Sequence, residues 1–456
     1  MQTQIFMVHK RHLGLRAPTV LAVGFALTIL VGALVLMLPV SAADGQITPF
    51  LDALFTAASA SCVTGLVTVS TAVHWSVFGK CVILLLIQIG GLGFMSVAAI
   101  ASFVLRRTIT LHERMVMSAG LNLSDGGGIV RLTRRVLFGT FIIEGTGAVL
   151  LSCRFVPHYG FPKGITMGVF HAVSAFCNAG FDLMGTPDDP FQSLIGWAED
   201  PLVNITVMAL IVLGGLGFFV WSDVWDKHSF RRLRLHTKIV LTATAGLLLF
   251  GFGWTLLFEW SNPATLGAFD TPHKLLAAAF ESVTLRTAGF NTIDLGALTG
   301  PSQAVSCLLM FIGGSPGSTA GGIKTVTAAV LVLTAISAFC GRTTVSAFGR
   351  TIAPRSIMNA VSLLMAGGVF CLAGACAIAG IEDAPFHQCL FEAVSAFGTV
   401  GVSMGLTPTL SSASRVILIA MMYMGRVGVL TLGVAVLMRR REPPRLKYPD
   451  ADVFIG

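Results

Sequence analysis

The sequence predicts an all-α, polytopic membrane protein made of four parallel repeats around one axis. Three observations predict it. First, 54% of the 456 residues are hydrophobic, only 11% are charged, and mean hydropathy is +0.81. A soluble domain carries about 25% charged residues. At least eight stretches approach the length of about 20 apolar residues that a bilayer crossing takes. Second, a segment of the form Phe-x-x-(Ala/Val)-(Ser/Thr), closing on Gly and an apolar residue, occurs four times. It begins at Phe55, Phe170, Phe280 and Phe391 and closes on Gly65, Gly180, Gly289 and Gly401, 109 to 115 residues apart. Near-equal spacing marks an internal repeat. Third, most of the 30 Lys and Arg residues fall in short segments between spans. The formal net charge of +8 is therefore a topology signal, not a nucleic-acid one.

Each repeat is expected to contain a spanning helix (M1), a short pore helix with a glycine turn, and a second spanning helix (M2). Repeat 1 (1–110) uses 18–38, 52–66 and 78–105. Repeat 2 (111–230) uses 136–155, 169–181 and 202–221. Repeat 3 (231–345) uses 239–258, 275–290 and a long 305–339. Repeat 4 (346–456) uses 358–378, 389–403 and 416–438 and ends in a tail. Two spans per unit return the chain to the same side, so successive units share an orientation. The basic residues Lys10, Arg11 and Arg16; Arg106, Arg107, Arg114, Arg131, Arg134 and Arg135; Lys227, Arg231, Arg232, Arg234 and Lys238; Arg342, Arg350 and Arg355; and Arg439–Arg441, Arg445 and Lys447 then lie on one side. Basic loops face the cytoplasm, which places both termini inside. The first span is longer than a signal-peptide core and lacks a clear cleavage pattern. The nine cysteines have no framework spacing, and no structural disulfide is expected.

The turns carry the chemistry. They read Cys62-Val63-Thr64-Gly65, Cys177-Asn178-Ala179-Gly180, Arg286-Thr287-Ala288-Gly289 and Thr399-Val400-Gly401. Consecutive carbonyls facing one way can replace the water around an alkali cation. Glycine supplies the backbone angles this needs. Re-entrant turns are tolerated at membrane depth where they line a water-filled cavity. A pore helix ahead of each turn aims its negative end at the cavity. The third copy is one residue shorter before its glycine and carries Arg286, so the four walls are expected to differ. Glu281 and Glu392 are read as ordinary helix-start carboxylates at two pore-helix N-termini, not as ion ligands. Gly90-Gly91-Leu92-Gly93-Phe94 and Gly214-Gly215-Leu216-Gly217-Phe218 occupy matching places and read as small-residue packing against pore helices.

The last span of repeat 3 is interrupted by Gly313-Gly314-Ser315-Pro316-Gly317-Ser318-Thr319-Ala320-Gly321-Gly322-Ile323-Lys324-Thr325. Proline and five glycines do not stay helical cheaply. Ile323 separates Gly322 from Lys324, so the segment is not a phosphate-binding loop. It reads as a loop in the cavity below the turns that obstructs the pathway and gates it. Arg426, deep in the last span, reads as a positive group below the turns, holding that loop and opposing cations, or else as a structural ion pair or a snorkelling side chain.

These turns, the broken third M2 and the Arg426 span together resemble the Trk/Ktr/HKT superfamily of potassium transporters, and most closely its Ktr membrane subunits (KtrB-like). The resemblance covers nearly the whole chain. It implies a pore of K+-channel-like pseudo-fourfold symmetry, and uptake of potassium (K+) through a carbonyl-lined filter, stimulated by sodium (Na+). It also implies a homodimer with one pore per subunit in the bacterial inner membrane. The implied partner is a cytosolic, RCK-type, ATP/ADP-binding regulatory ring (KtrA-like). No organic cofactor and no enzymatic activity are expected. The competing reading is a secondary transporter of another small solute or cation. That reading predicts inverted repeats with broken helices in both halves, and only repeat 3 is visibly interrupted in the sequence. Scattered histidines with no paired acid/base spacing argue against an enzyme.

Overall fold

Four times the chain runs through the same three parts, and the local sequence explains each. A computed structural model describes residues 17–93 and 129–428. Outside the described residues lie Lys10, Arg11, Arg16, Arg106, Arg107, Arg114, Arg439–Arg441, Arg445, Lys447, Phe94, the ends of the M2 segments expected in repeats 1 and 4, and the C-terminal tail.

The M1 helices are α1 (Ala17–Leu36), α4 (Ile129–Tyr159), α8 (Leu235–Glu259) and α12 (Pro354–Ile381). Among the described residues these four are long and apolar enough to cross a membrane singly. The pore helices are α2 (Phe50–Cys62), α5 (Phe161–Cys177), α9 (Thr271–Thr284) and α13 (Phe386–Gly398). Each begins beside a proline: Pro49, Pro162, Pro272 and Pro385. Proline suits a helix start because its missing N–H has no intrahelical partner there. From Ala53 to Cys62, all of α2 except half-buried Leu54 is buried, and the others are alike, so they form the core of the molecule.

The M2 segments are α3 (Val77–Leu92), α6 (Pro201–Leu216) with α7 (Phe218–Lys227), α10 (Gly300–Phe311) with α11 (Thr325–Phe339), and α14 (Ser412–Val427). Their N-caps are Ser76, Asp200, Thr299 and Ser411, side chains suited to unpaired first-turn N–H groups. Ser76 and Asp200 make those bonds directly. A two-stranded hairpin, β1 (Ser346–Ala347) and β2 (Arg350–Thr351), joins α11 to α12.

One expectation is corrected here. Repeat 3 is not the sole interrupted M2. α6 and α7 meet at 92° across Gly217, whose φ is +96°. α3 and α14 stop at Gly93 and Gly428, with φ +82° and +90°. The glycine runs that pack helices together also end them. Gly217 is required twice over, because a Cβ there would strain the backbone and come within 2.8 Å of Pro316 O.

Contacts between repeats close a ring. Ser70 Oγ donates to Pro190 O (2.7 Å), joining repeats 1 and 2. Leu194 N donates to Asn291 O (3.0 Å), joining 2 and 3. Arg415 pairs with Asp52 (2.7 Å), and Tyr423 Oη donates to Ala22 O (2.7 Å), joining 4 back to 1.

Candidate functional site: four converging turns above an intramembrane loop

Each pore helix ends the same way. The residue two before the closing glycine is left-handed in every copy: Val63 (φ +58°), Asn178 (+60°), Thr287 (+69°) and Thr399 (+51°). For β-branched Val63, Thr287 and Thr399 this is a strained conformation, of the kind that persists where the surroundings over-determine it. In copies 1, 2 and 4 the helix closes with two matching bonds. Val63, Asn178 and Thr399 N–H donate to Ala60, Ala175 and Ala396 O, each at 3.1 Å. Thr64, Ala179 and Val400 N–H then reach back five residues to Ser59, Ser174 and Ser395 O at 2.7–2.8 Å. In copy 3, Ala288 N–H reaches back only four, to Thr284 O (2.9 Å). The missing residue is absorbed there, so the turn itself matches the other three. The expected inequality of the walls lies in the side chains and in how the third pore helix closes.

The turns meet. A Cβ on Gly65 would lie 2.6 Å from Ala179 O, one on Gly180 2.7 Å from Ala288 O, and one on Gly289 2.7 Å from Val400 O. One on Gly401 would overlap Thr64 O and lie 2.9 Å from Gly65 Cα. The contacts run from repeat 1 to 2, 3, 4 and back to 1. Four equivalent carbonyls, of Thr64, Ala179, Ala288 and Val400, therefore sit against the preceding turn's glycine. A side chain at any of these glycines would fill the space the turns share. The negative ends of four pore helices face the same region.

The hydroxyl of the recurrent motif braces this arrangement, a role the sequence pattern alone did not assign. Ser59 Oγ accepts from Gly65 N (3.0 Å). Ser174 Oγ donates to Phe181 O (2.7 Å), and Thr284 Oγ1 donates to Phe290 O. Ser395 Oγ does both, accepting from Gly401 N (3.1 Å) and donating to Val402 O (2.7 Å).

Several side chains from the turns face away from the axis. Cys62 and Cys177 are buried, and Cys177 Sγ lies against Gln88 Oε1 (3.6 Å) and Glu144 Oε1 (3.8 Å). Gln88 Nε2 donates to both Glu144 oxygens at 3.2 Å. No spacing in the sequence marks this cluster, because its members come from three helices. The Asn178 amide lies between Thr287 Oγ1 (3.3 Å) and the carbonyls of Ile211 and Ala175. The Arg286 guanidinium also points behind its turn, to Gly313 O and Thr325 Oγ1. Glu281 and Glu392 are not helix-start residues: both sit well inside their helices and are buried. Glu392 reaches forward to Ser403, Met404 N (3.3 Å) and Thr407 Oγ1 (2.6 Å), fixing the chain that leaves the fourth turn.

The loop between Ile312 and Thr325 lies against the turns. A Cβ on Gly321 would lie 2.7 Å from Thr399 Cγ2, and one on Gly322 would lie 3.1 Å from Gly398 Cα. Helix interruption supplies its docking groups. The break at Gly217 frees the carbonyls of Gly214 and Gly215, which accept from Thr319 N (3.3 Å) and Ser315 N (3.0 Å). Orphan carbonyls of this kind need partners. Phe218 N donates to Gly317 O (2.9 Å), and Thr319 Oγ1 to Phe176 O (3.2 Å). Lys324 Nζ donates to Ala320 O (2.7 Å) and Gly321 O (3.3 Å). Arg426 touches the loop at Thr319 O and α3 at Gly90 O and Gly91 O, the last at 3.3 Å. The expected contact between Arg426 and the loop is therefore present, and no acid pairs with it among the described residues. Gly90, Gly214 and Gly425 each press on a pore helix, where a Cβ would overlap the carbonyls of Ser61, Phe176 and Phe397. The packing read from the first two glycine runs holds, and it recurs at Gly425.

Four M1–pore helix–M2 units with converging glycine turns define a membrane protein that conducts or transports ions, not an enzyme. A family model described as "TrkH: Cation transport protein" matches residues 10–443. The chain is 42% identical to Ktr system potassium uptake protein B of Bacillus subtilis and 40% identical to potassium/sodium uptake protein NtpJ of Enterococcus hirae. It is 37% identical to Ktr system potassium uptake protein B of Vibrio alginolyticus. Each of these matches covers at least 95% of both chains. The crystal structure of the potassium transporter TrkH from Vibrio parahaemolyticus shares the fold, with a TM-score of 0.70, 16% identity, and coverage of 94% of this chain and 86% of that one. The chain belongs to the TrkH family of cation transport proteins and is a multi-pass membrane protein.

Proposed function

We infer that this chain takes up potassium across the bacterial cytoplasmic membrane through a filter formed by the backbones of Cys62–Gly65, Cys177–Gly180, Arg286–Gly289 and Thr399–Gly401. Gly313–Gly322, Lys324 and Arg426 form its gate. The observation that carries this reading is the cyclic meeting of four equivalent carbonyls, Thr64, Ala179, Ala288 and Val400, at four glycines. A bare cation is stable where several oxygens replace its water shell. A ring from four like units supplies them at one depth. Interrupted M2 segments in both halves of the chain suit one pore as well as inverted halves. What favours the pore is that the M2 helices of repeats 1, 2 and 4 each run 16 residues before a glycine, Gly93, Gly217 and Gly428.

The units divide near residues 110, 230 and 345. The relatives' names support potassium as cargo with sodium as a second ion, and membership of a Ktr system supports a separate regulatory subunit. The finer reading is a homodimer, one pore per subunit, both termini cytoplasmic, working with an RCK-type, KtrA-like ring that binds ATP or ADP. Growth of an uptake-deficient bacterium on limiting potassium tests this. Rescue by this chain together with such a ring supports the reading. Failure to rescue, with the protein present in the membrane, refutes it.

A further inference from the structure

The residue just before the left-handed position is a cysteine in the first two turns (Cys62, Cys177), Arg286 in the third and Gly398 in the fourth. Arg286 is the only charged one, and it belongs to the repeat that carries the loop. It is 6% exposed. Its Nη2 donates to Gly313 O (3.1 Å) and to Thr325 Oγ1 (2.9 Å). These two residues are the opposite feet of the loop. Thr325 Oγ1 also donates to Gly313 O (3.0 Å), and Thr325 N to Gly314 O (3.0 Å). Beside them, Ile312 and Ile323 pair as a parallel bridge. The feet are thus drawn together and fastened to one side chain.

That side chain is one residue from Thr287, the left-handed residue of the third turn. A Cβ on Gly313 would lie 3.2 Å from the Thr287 methyl. Lys324 and Arg426 hold the middle of the loop, but neither belongs to a turn. Among the described residues, Arg286 is the one cation that belongs to a turn and binds the loop.

We propose that Arg286 is a positioning residue that couples the gate to the filter, so that displacement of the loop alters the third turn. The coupling rests on the reading of the turns as a filter and the loop as a gate. Its physical basis is the cost of an unpaired buried guanidinium. Nη1 already has no partner among the described residues. If the feet moved off, Nη2 would lose both acceptors. The side chain therefore follows the feet, and the backbone that carries it follows too. The planar fork matters, because Lys offers a compact, mobile charge instead.

The test uses full-length protein in bacterial-lipid vesicles, measuring rubidium or potassium influx and the potassium-to-sodium flux ratio. The variants are Arg286→Gln, Arg286→Lys, Thr325→Val and the Arg286→Gln/Thr325→Val pair. Thr325→Val removes the shared hydroxyl with little change of shape, and it tests the coupling even if Arg286→Gln does not fold. Arg286→Gln and Thr325→Val should each raise flux and lower the flux ratio, by about tenfold, the effect of losing one charged hydrogen bond. The double variant should do no more than the larger single change, because both remove one clasp. Arg286→Lys should fall between. A fall in flux, an unchanged ratio, or multiplying effects would overturn the coupling while leaving a selective wild type intact as a transporter. A wild type without potassium flux would overturn the transport reading and the coupling with it.

Discussion

Removing the hydroxyl of Ser395 tests how firmly the fourth turn is held. Ser395 Oγ accepts from Gly401 N (3.1 Å) and donates to Val402 O (2.7 Å), both inside the protein. Ser395→Ala leaves a buried N–H and a buried C=O without partners, each costing about 1–3 kcal/mol. The turn is therefore destabilised by about 2–6 kcal/mol. If half of that bears on the ion-bound geometry, discrimination between potassium and sodium falls by about fivefold at the low end and more than tenfold at the middle of that range, since 1.4 kcal/mol is tenfold. Repeat 3 supplies the control for the donated bond, because Thr284 makes it to Phe290 O with a threonine. Ser395→Thr should therefore stay close to wild type. The assay is the flux ratio of the two ions in vesicles, with protein amount and dispersity matched. Ser395→Ala with a wild-type ratio would refute the brace, as would equal losses in Ser395→Ala and Ser395→Thr.

Further outcomes follow from the same geometry. Gly401→Ser meets Thr64 O and Gly65 Cα and adds a left-handed backbone cost of about 1–2 kcal/mol, so sodium flux should rise relative to potassium in the vesicle assay. Shortening the loop within residues 314–322 should raise flux several-fold and loosen dependence on the regulatory ring; lower flux in a well-folded variant would speak against a gate. Gly217→Ala strains the bend and crowds Pro316 O, loosening the loop's seat on α6, and should raise basal flux. Arg415→Met removes the half-buried pair with Asp52 and should lower the detergent-solubilised melting temperature by about one degree, consistent with about 1 kcal/mol for such a pair in a chain of this size.

Much of this design was legible in the sequence. The Phe-to-Gly segments located all four turns, because the same local closure needs the same residues each time. The interrupted loop was legible because glycine and proline clusters cannot hide in a helix. The bend at Gly217 was not, since a short glycine run in an apolar stretch also reads as helix packing in a continuous span, and only the loop packed on it shows why it bends. Arg286 was placed in the filter by its neighbours in sequence. Its side chain points the other way because its acceptors lie 27 and 39 residues further along the chain. Glu392 looked like a helix-start charge because its partners, Ser403 and Thr407, come only after the turn. Arg426 occupies the place that Gly91 and Gly215 fill in repeats 1 and 2, an equivalence visible only when the helix ends are superposed on their turns.

The most direct test is a structure of the protein in rubidium, with the anomalous signal used to locate the ion. The account predicts density on the axis among the carbonyl oxygens of Thr64, Ala179, Ala288 and Val400. Density elsewhere in the protein, with none between those four oxygens, would contradict it.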